Sequence, residues 1–348
     1  MAAARADFWE LERRNRRETG LLVAVFIALF SVLGFALDFR FGDLAIVDGR
    51  LVGFPLLTLI ALGFAIFQSL LSYYGGAALV LASVRARELT PDTPAHQMVL
   101  DVVREMALAA RMPVPKAYLM DDPSPNAFAT GRDPRHSVIC VTQGLVDTMD
   151  REEMQGVLGH EMAHVRDYDI RTMMMIAVLV AGVAMLADFV FRSTWYTGGI
   201  GVGGGRSRDR DDNGSGGNAG AAIAILVFVL AVLAPLFAQL LAMAVSRQRE
   251  YLADASSVEF TRNPRALLRA LERIAQTESP LRNASRGTAH MFIVNPLQGA
   301  REDDEGFFAN LFSTHPPLGR RIERLRALLN EPGAAPPAAS AGAAGVRG

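Results

Sequence analysis

Four apolar runs divide the chain. Residues 21–37, 51–84 and 219–246 contain no charged residue, and a shorter run covers 172–187. A helix needs about 20 apolar residues to cross the hydrocarbon core of a bilayer. Residues 51–84 and 219–246 exceed that length. Residues 21–37 reach it with Phe39 and amphipathic flanks, while 172–187 needs Asp188 and the apolar residues after it at an interface. The pattern predicts an integral membrane protein with about four transmembrane helices. Arg13, Arg14, Arg16 and Arg17 precede the first run, as in a secretion signal. The leading segment is long for one, however, and no small-x-small cleavage site follows, so the run reads as an uncleaved anchor.

Between these runs the pattern predicts a soluble part built from two pieces. In the first, a helix over 95–111 precedes short strands near 117–119, 127–130 and 137–141, then a helix from about Arg151. Asp150 is placed to cap that helix, with Glu153 completing a capping box. The second piece reads as mostly helical, over 236–260, 264–276 and 317–329. The fold class is therefore α+β, mainly helical. The chain divides into a tail with two membrane helices (1–84), a first soluble piece (85–171), a membrane hairpin with a Gly-rich loop (172–246), a second soluble piece (247–330) and a tail (331–348). The glycines of 198–218 predict a floppy, solvated loop, and the Ala/Pro/Gly tail from Glu331 predicts disorder.

Arginine placement sets the expected orientation. The N-terminal tail carries Arg5, Arg13, Arg14, Arg16 and Arg17; Arg85 and Arg87 follow the second run, and Arg247 and Arg249 the fourth. Positive residues stay on the cytoplasmic side, which places both soluble pieces there. The loop over 198–218, whose Arg206, Arg208 and Arg210 are balanced by Asp209, Asp211 and Asp212, falls outside.

Composition agrees with this picture. Hydrophobic residues make up 51% of the chain and charged ones 20%, with a mean hydropathy of +0.21, below the charged share of about a quarter usual in soluble domains. A net charge of −1 gives no reason to expect nucleic acid as a partner. The lipid bilayer is the partner that the runs imply. Cys140 is the only cysteine, which excludes an intrachain disulfide and a thiolate cluster; among Val138, Ile139 and Val141 it reads as a small core residue.

The candidate chemistry lies in Gly159-His160-Glu161-Met162-Ala163-His164, an H-E-x-x-H sequence inside a predicted helix. Side chains at i and i+4 lie one above the other, so both imidazoles can reach one metal ion. Glu161, one step round the helix, can meet a water at that ion without ligating it. The competing reading is a solvated helix that happens to carry two histidines and a glutamate. A catalytic zinc takes three protein ligands, and with no cysteine cluster available the third must be a carboxylate or a histidine. Arg249-Glu250-Tyr251-Leu252-Ala253-Asp254 begins where the fourth run ends and puts Glu250 and Asp254 on one helical face. Glu250 is the natural ligand, and Asp254 can accept a hydrogen bond from a ligating histidine. By spacing alone the pair is equally an exposed i, i+4 couple beside arginines. His96, His136 and His290 have no partner spacing, and Asp167 and Asp169 read as solvated or capping residues.

Taken together, the motifs resemble the HtpX-type membrane zinc metalloproteases, the family that also contains the eukaryotic CAAX-prenyl proteases. The matching segments are Asn126-Ala127-Phe128-Ala129-Thr130-Gly131, the stretch from Gly159 to His164, the stretch from Ser246 to Asp254, and Ser313-Thr314-His315-Pro316-Pro317-Leu318 with Arg321 and Ile322. They occur in the family's order, and the resemblance covers roughly residues 20–330. It implies a zincin-like (gluzincin) protease domain on the cytoplasmic side of a bacterial inner membrane. One Zn2+ per chain is then held by His160, His164 and Glu250, with Glu161 as base. It further implies a strand at Asn126, Ala127, Phe128 and Ala129 that pairs with an extended substrate, and His315 near the metal, stabilising an oxyanion. Its substrates are then misfolded or damaged membrane proteins. Two histidines and a glutamate could also hold other divalent ions, and His315 could instead order a loop before a helix. Gly159 stands where alanine is common in the family. Alternatives are a site-specific processing protease of CAAX type, or a membrane scaffold or transporter with a structural metal site; no broken-helix pair of the transporter kind is present.

Overall fold

The structure is a computed structural model and describes residues 2–41, 44–48, 50–196, 247–277, 291–293 and 318–330. The fourth apolar run, the loop over 198–218, His290, His315 and the tail from Glu331 lie outside the described residues.

The chain opens with α1 (Ala2–Phe41), a short exposed hairpin of β1 (Ala45–Val47) and β2 (Arg50–Val52), and α2 (Leu56–Ser83). The stretches Arg13–Phe39 and Leu56–Ser83 are long and apolar enough to cross a membrane, yet only 28% and 22% of their most apolar windows are buried inside the protein. A core helix of a soluble protein is mostly buried. Here Leu21, Val32, Phe35, Leu59, Ile60, Phe67 and Leu70 face outward instead, which is the surface that lipid covers. The second apolar run is helical only from Leu56: its first residues pair in β2, and Gly53 (φ 115°) turns the chain before Pro55.

The two helices pack as an antiparallel hairpin. Pro55 at the N-cap of α2 has no side-chain cap, and the orphan N–H groups of Leu57 and Thr58 donate instead to Asp38 of α1, at 2.9 and 2.7 Å. The helices approach so closely there that a Cβ on Gly34 would lie 2.6 Å from the Thr58 Cα. Deeper in, Phe30 packs on Phe26 and Phe64.

The soluble part contains β3 (Arg87–Glu88), α3 (Pro94–Ala109), β4 (Lys116–Met120), β5 (Ala127–Gly131), β6 (Ser137–Thr142), α4 (Gln143–Thr148) and α5 (Arg151–Arg166). α6 (Asp169–Tyr196) covers the third apolar run and extends well past it, and α7 (Arg247–Thr261), α8 (Pro264–Ala275) and α9 (Leu318–Asn330) follow. The sheet runs β3-β4-β6-β5, with β4 and β6 parallel and the other pairs antiparallel. Its side chains alternate between two cores, as a strand's period of two requires. Ala117, Leu119, Ala127, Ala129, Ile139 and Val141 point into a core shared with α3, α5, α8 and α9. Met120, Phe128 and Cys140 point the other way, into a core shared with α1, α2 and α6. The sheet thus joins the protease part to the membrane helices, and residues from both sequence pieces, 89–170 and 267–325, share one core.

Helix α5 lies at the centre of that core. Its start carries the capping box: Glu153 N donates to Asp150 Oδ1 at 2.8 Å and Asp150 N to Glu153 Oε2 at 3.0 Å. From Glu153 to Val165 nearly every residue is buried, because α3, α7, α8 and β5 surround it. A Cβ on Gly156 would lie 2.5 Å from the Leu267 backbone nitrogen, so glycine is what lets α8 approach.

Candidate metal centre

His160 and His164 project from one face of α5, their Nε2 atoms 3.2 Å apart. Glu250 reaches them from the first turn of α7, with Oε2 at 3.6 Å from His160 Nε2 and Oε1 at 3.5 Å from His164 Nε2. One ligand atom from each lies within 4.8 Å of the others, and all three residues are buried.

The second nitrogen of each ring is held by a carboxylate. His160 Nδ1 lies 2.9 Å from Asp254 Oδ1, and His164 Nδ1 lies 3.1 Å from Asp169 Oδ2. Each carboxylate favours a proton on the Nδ1 that faces it, which leaves both Nε2 lone pairs turned inward, towards each other and Glu250. The three acceptors converge on a spot that suits a cation, and the Arg321 guanidinium stands beside it, 3.5 Å from His160 Nε2 and 3.6 Å from Glu250 Oε2. Burial disfavours a charged His164, but the Asp169 hydrogen bond and the charge of Glu250 outweigh it and raise that imidazole to about 9. A divalent ion satisfies the same field with both rings neutral, and the donor set fits one.

Glu161 lies beside this triad, 2% exposed. Burial pushes its carboxyl up; the two imidazoles oppose that shift, and the Glu250 charge adds to it. The Ala129 backbone N–H of β5 points at its carboxylate. The pocket between these groups encloses about 10 Å³ and is walled on its far side by Met173, Met291, Phe292 and Ile293.

Ala127 to Ala129 form the start of β5, the edge strand next to Glu161, and Asn126 directly precedes it. Among the described residues the strand's outer edge is engaged where Ile293 N donates to Ala127 O at 2.9 Å, and Phe292 stacks edge-on against Phe128 at 4.9 Å between centroids.

A layer of residues holds the orienting carboxylates. Arg321 of α9, 1% exposed, donates to both oxygens of Asp254 at 3.0 and 2.6 Å and to the Ile293 carbonyl at 2.9 Å. Burial opposes ionisation of Asp254, and Arg321 with His160 hold its carboxyl low despite it. Asp169 is fixed from α1 and α7. Its Oδ1 accepts from Asn15 Nδ2 at 2.9 Å and Arg249 Nη1 at 3.1 Å, while Arg249 Nη2 pairs with Glu18 at 2.9 Å. Asn15 Nδ2 also donates to the Asp167 carbonyl at 2.6 Å.

The reading of Asp169 as a solvated or capping residue is therefore corrected: it is buried on the ring of His164. The cause is a turn. Asp167 ends α5 and Tyr168 takes a left-handed φ of 63°, which reverses the chain and brings Asp169 back to the helix it has just left. A tyrosine rarely adopts that conformation, so no local signal pointed to it. Arg321 belongs to a motif already singled out, but its grip on Asp254 was not foreseen. His96 is buried at the start of α3, and His136 pairs on the surface with Asp133 at 2.8 Å.

Comparison with known proteins places this geometry. The family model described as Peptidase family M48 matches residues 93–329, which contain both histidines, Glu250 and Arg321. The chain is 39% identical over 313 residues to a protein named Protease HtpX homolog from Lactobacillus helveticus (strain DPC 4571), covering 90% of this chain and 97% of that one. It is 40% identical over 321 residues to one of the same name from Caldanaerobacter subterraneus subsp. tengcongensis, covering 92% and 97%. Among solved structures it is similar to the crystal structure of S. mikatae Ste24p, at 17% identity and a TM-score of 0.48, over 91% of this chain and 66% of that one. With the metal-ready histidine pair and the lipid-facing helices in view, the matched family model and these relatives establish that the chain belongs to peptidase family M48 and is a membrane-bound metalloprotease.

Proposed function

We propose that the protein is a zinc endopeptidase whose ion is held by His160, His164 and Glu250 and whose base is Glu161. The observation that carries this reading is the convergence of three buried donors, each imidazole aimed by a carboxylate behind it, with a further buried carboxylate alongside. Bound zinc supplies Lewis acidity, acidifying water and polarising the scissile carbonyl. Glu161 takes a proton from the attacking water and returns it to the leaving nitrogen; burial raises its carboxyl towards the range such a shuttle needs. Asp169 and Asp254 keep the rings in register and in the right tautomer.

The substrate lies as an extended strand along β5 from Asn126 through Ala127 and Phe128 to Ala129, whose edge position and proximity to Glu161 suit backbone pairing. Pairing at the Ala127 carbonyl displaces Ile293. His315 stabilises the oxyanion from the segment before α9. The substrates are misfolded or damaged membrane proteins, cut on the cytoplasmic side of the bacterial inner membrane, to which arginine placement directs the protease part. The third and fourth apolar runs complete four spans, and the two soluble pieces, 85–171 and 247–330, form one gluzincin domain.

The deciding experiment compares wild type with Glu161→Gln, both purified in detergent, for cleavage of an unfolded model protein and for bound metal. The variant is expected to keep about one zinc and to lose activity by roughly 10²–10⁴-fold, the usual worth of a positioned acid–base group. Equal cleavage by both forms, or a wild type without metal, refutes the assignment.

A further inference from the structure

The void between His160, His164, Glu161 and Glu250 measures about 10 Å³, space for about one water-sized particle. A peptide carrying side chains needs far more. The chain itself takes up the rest of the site. Met291, Phe292 and Ile293 wall the void and are 4%, 1% and 2% exposed, so three large apolar side chains are buried beside the proposed base and ligands. Ile293 packs into the protease core and Phe292 into the membrane core, so the segment straddles β5 as that strand's own side chains do.

Three contacts keep it there. The Ile293 N–H donates to the Ala127 carbonyl at 2.9 Å, the Ile293 carbonyl accepts from Arg321 Nη1 at 2.9 Å, and the Phe292 ring meets Phe128 edge-on at 4.9 Å. The anchoring guanidinium also grips Asp254, which in turn faces His160 Nδ1, so the segment is tied to the frame of the metal site. On the outer edge of β5 the Ala127 carbonyl is thus taken, and the Ala129 N–H points at Glu161. A substrate strand needs those positions. The three residues themselves form a turn running into a bend. They cover the edge without presenting a peptide bond in the extended form that strand addition requires.

We propose that residues 291–293 are a built-in plug that closes the site against peptides until a substrate displaces it. The inference rests on the reading of β5 as the substrate's strand. Opening uncovers the Phe128 ring and the Ala127 carbonyl together. An extended segment with large apolar side chains replaces what these groups lose, whereas a polar one leaves apolar surface wet. Unfolded chains offer such segments and folded domains bury them. The plug leaves the ligands and Glu161 in place, so it governs entry rather than the chemical step.

Steady-state cleavage of an unfolded model protein by the full chain in detergent tests this. Phe292→Ala removes the ring, and Ile293→Pro removes the N–H that reaches Ala127. Each is expected to lower KM by roughly ten-fold with kcat nearly unchanged, because a plug reduces apparent affinity by the fraction of protein that is open. Thiol labelling of Ile293→Cys in the inactive Glu161→Gln background gives a second readout that needs no turnover. Cys140 adds little to it, being 1% exposed with its thiol pushed up by burial. Labelling should be slow in the protein alone and rise roughly ten-fold when the unfolded protein saturates it, by the same open-fraction argument. Should the cleavage variants fail to fold, the labelling decides the matter. A wild type that neither cleaves nor binds metal overturns the proposed function and the plug with it. A wild type that cleaves through Glu161, while both plug variants show an unchanged or higher KM or the labelling ignores substrate, overturns the plug alone.

Discussion

Two glycines in α5 separate backbone contact from side-chain contact. A Cβ at Gly156 meets the backbone of Leu267 at 2.5 Å, whereas one at Gly159 meets the Ser257 hydroxyl at 3.0 Å. Backbone cannot rotate away; the Ser257 hydroxyl can, at the cost of its 2.6 Å bond to the Gly156 carbonyl. Gly156→Ala is therefore expected to cost about 1–3 kcal/mol and Gly159→Ala well under half of that, which a comparison of their thermal midpoints in detergent would reveal. Asp169→Asn keeps the size of the side chain and weakens its acceptor strength towards His164. Zinc affinity should fall by about 10–100-fold, measured by competition with a chromophoric chelator. An unchanged affinity would mean that Asp169 does not orient the ring.

Among the elements, α1 does more than anchor. Asn15 and Glu18 reach Asp169 and Arg249, so the first helix touches the carboxylate behind a proposed ligand. Asn15→Ala removes a buried donor from Asp169 and leaves Arg249 to hold it alone. It is expected to lower zinc affinity in the same direction as Asp169→Asn but by less, with secondary structure by circular dichroism unchanged; affinity equal to wild type would limit α1 to anchoring. That contact joins residues 154 positions apart, and nothing in the spacing of either segment announces it. The elements themselves were far more legible. The helix over 95–111, the three strands and the capped start at Asp150 appear as Pro94–Ala109, Lys116–Met120, Ala127–Gly131, Ser137–Thr142 and Arg151–Arg166. Each rests on a local rule, namely alternation, a cap or a proline at the first turn.

For the whole molecule, the proposed ion ties α5 to α7, which come from the sequence on either side of residues 197–246. An ion that binds only the folded arrangement stabilises it by mass action, about 4 kcal/mol at a thousand-fold excess over Kd. Chelation should thus lower the thermal midpoint of wild type and of Glu161→Gln alike, and leave His160→Ala, already without a full ligand set, unmoved. A chelator that shifts none of them would argue against metal at this junction. The two-faced sheet belongs to this scale as well. Phe128 and Cys140 face the membrane core while Ala127, Ala129 and Ile139 face the protease core, so strain in one core reaches the other through a single layer.

What the sequence determined by itself is whatever short-range geometry dictates. His160 and His164 must share a helix face because four residues make about one turn, Glu161 must stand beside them, and uncharged runs of such length must seek lipid. The family followed from the order of the motifs. What only the tertiary structure decided is which groups surround the pair. Spacing put Glu250 and Asp254 on one face and left open whether that face met the histidines or solvent; packing of α7 against α5 put Glu250 on the Nε2 side and Asp254 on the Nδ1 side. The left-handed turn at Tyr168 put Asp169 on His164, and the docking of α1 and α9 brought Asn15 and Arg321 to the carboxylates behind the ring nitrogens. Those contacts join residues far apart in the chain, and their partners are chosen by how whole elements pack, a choice that no local periodicity encodes.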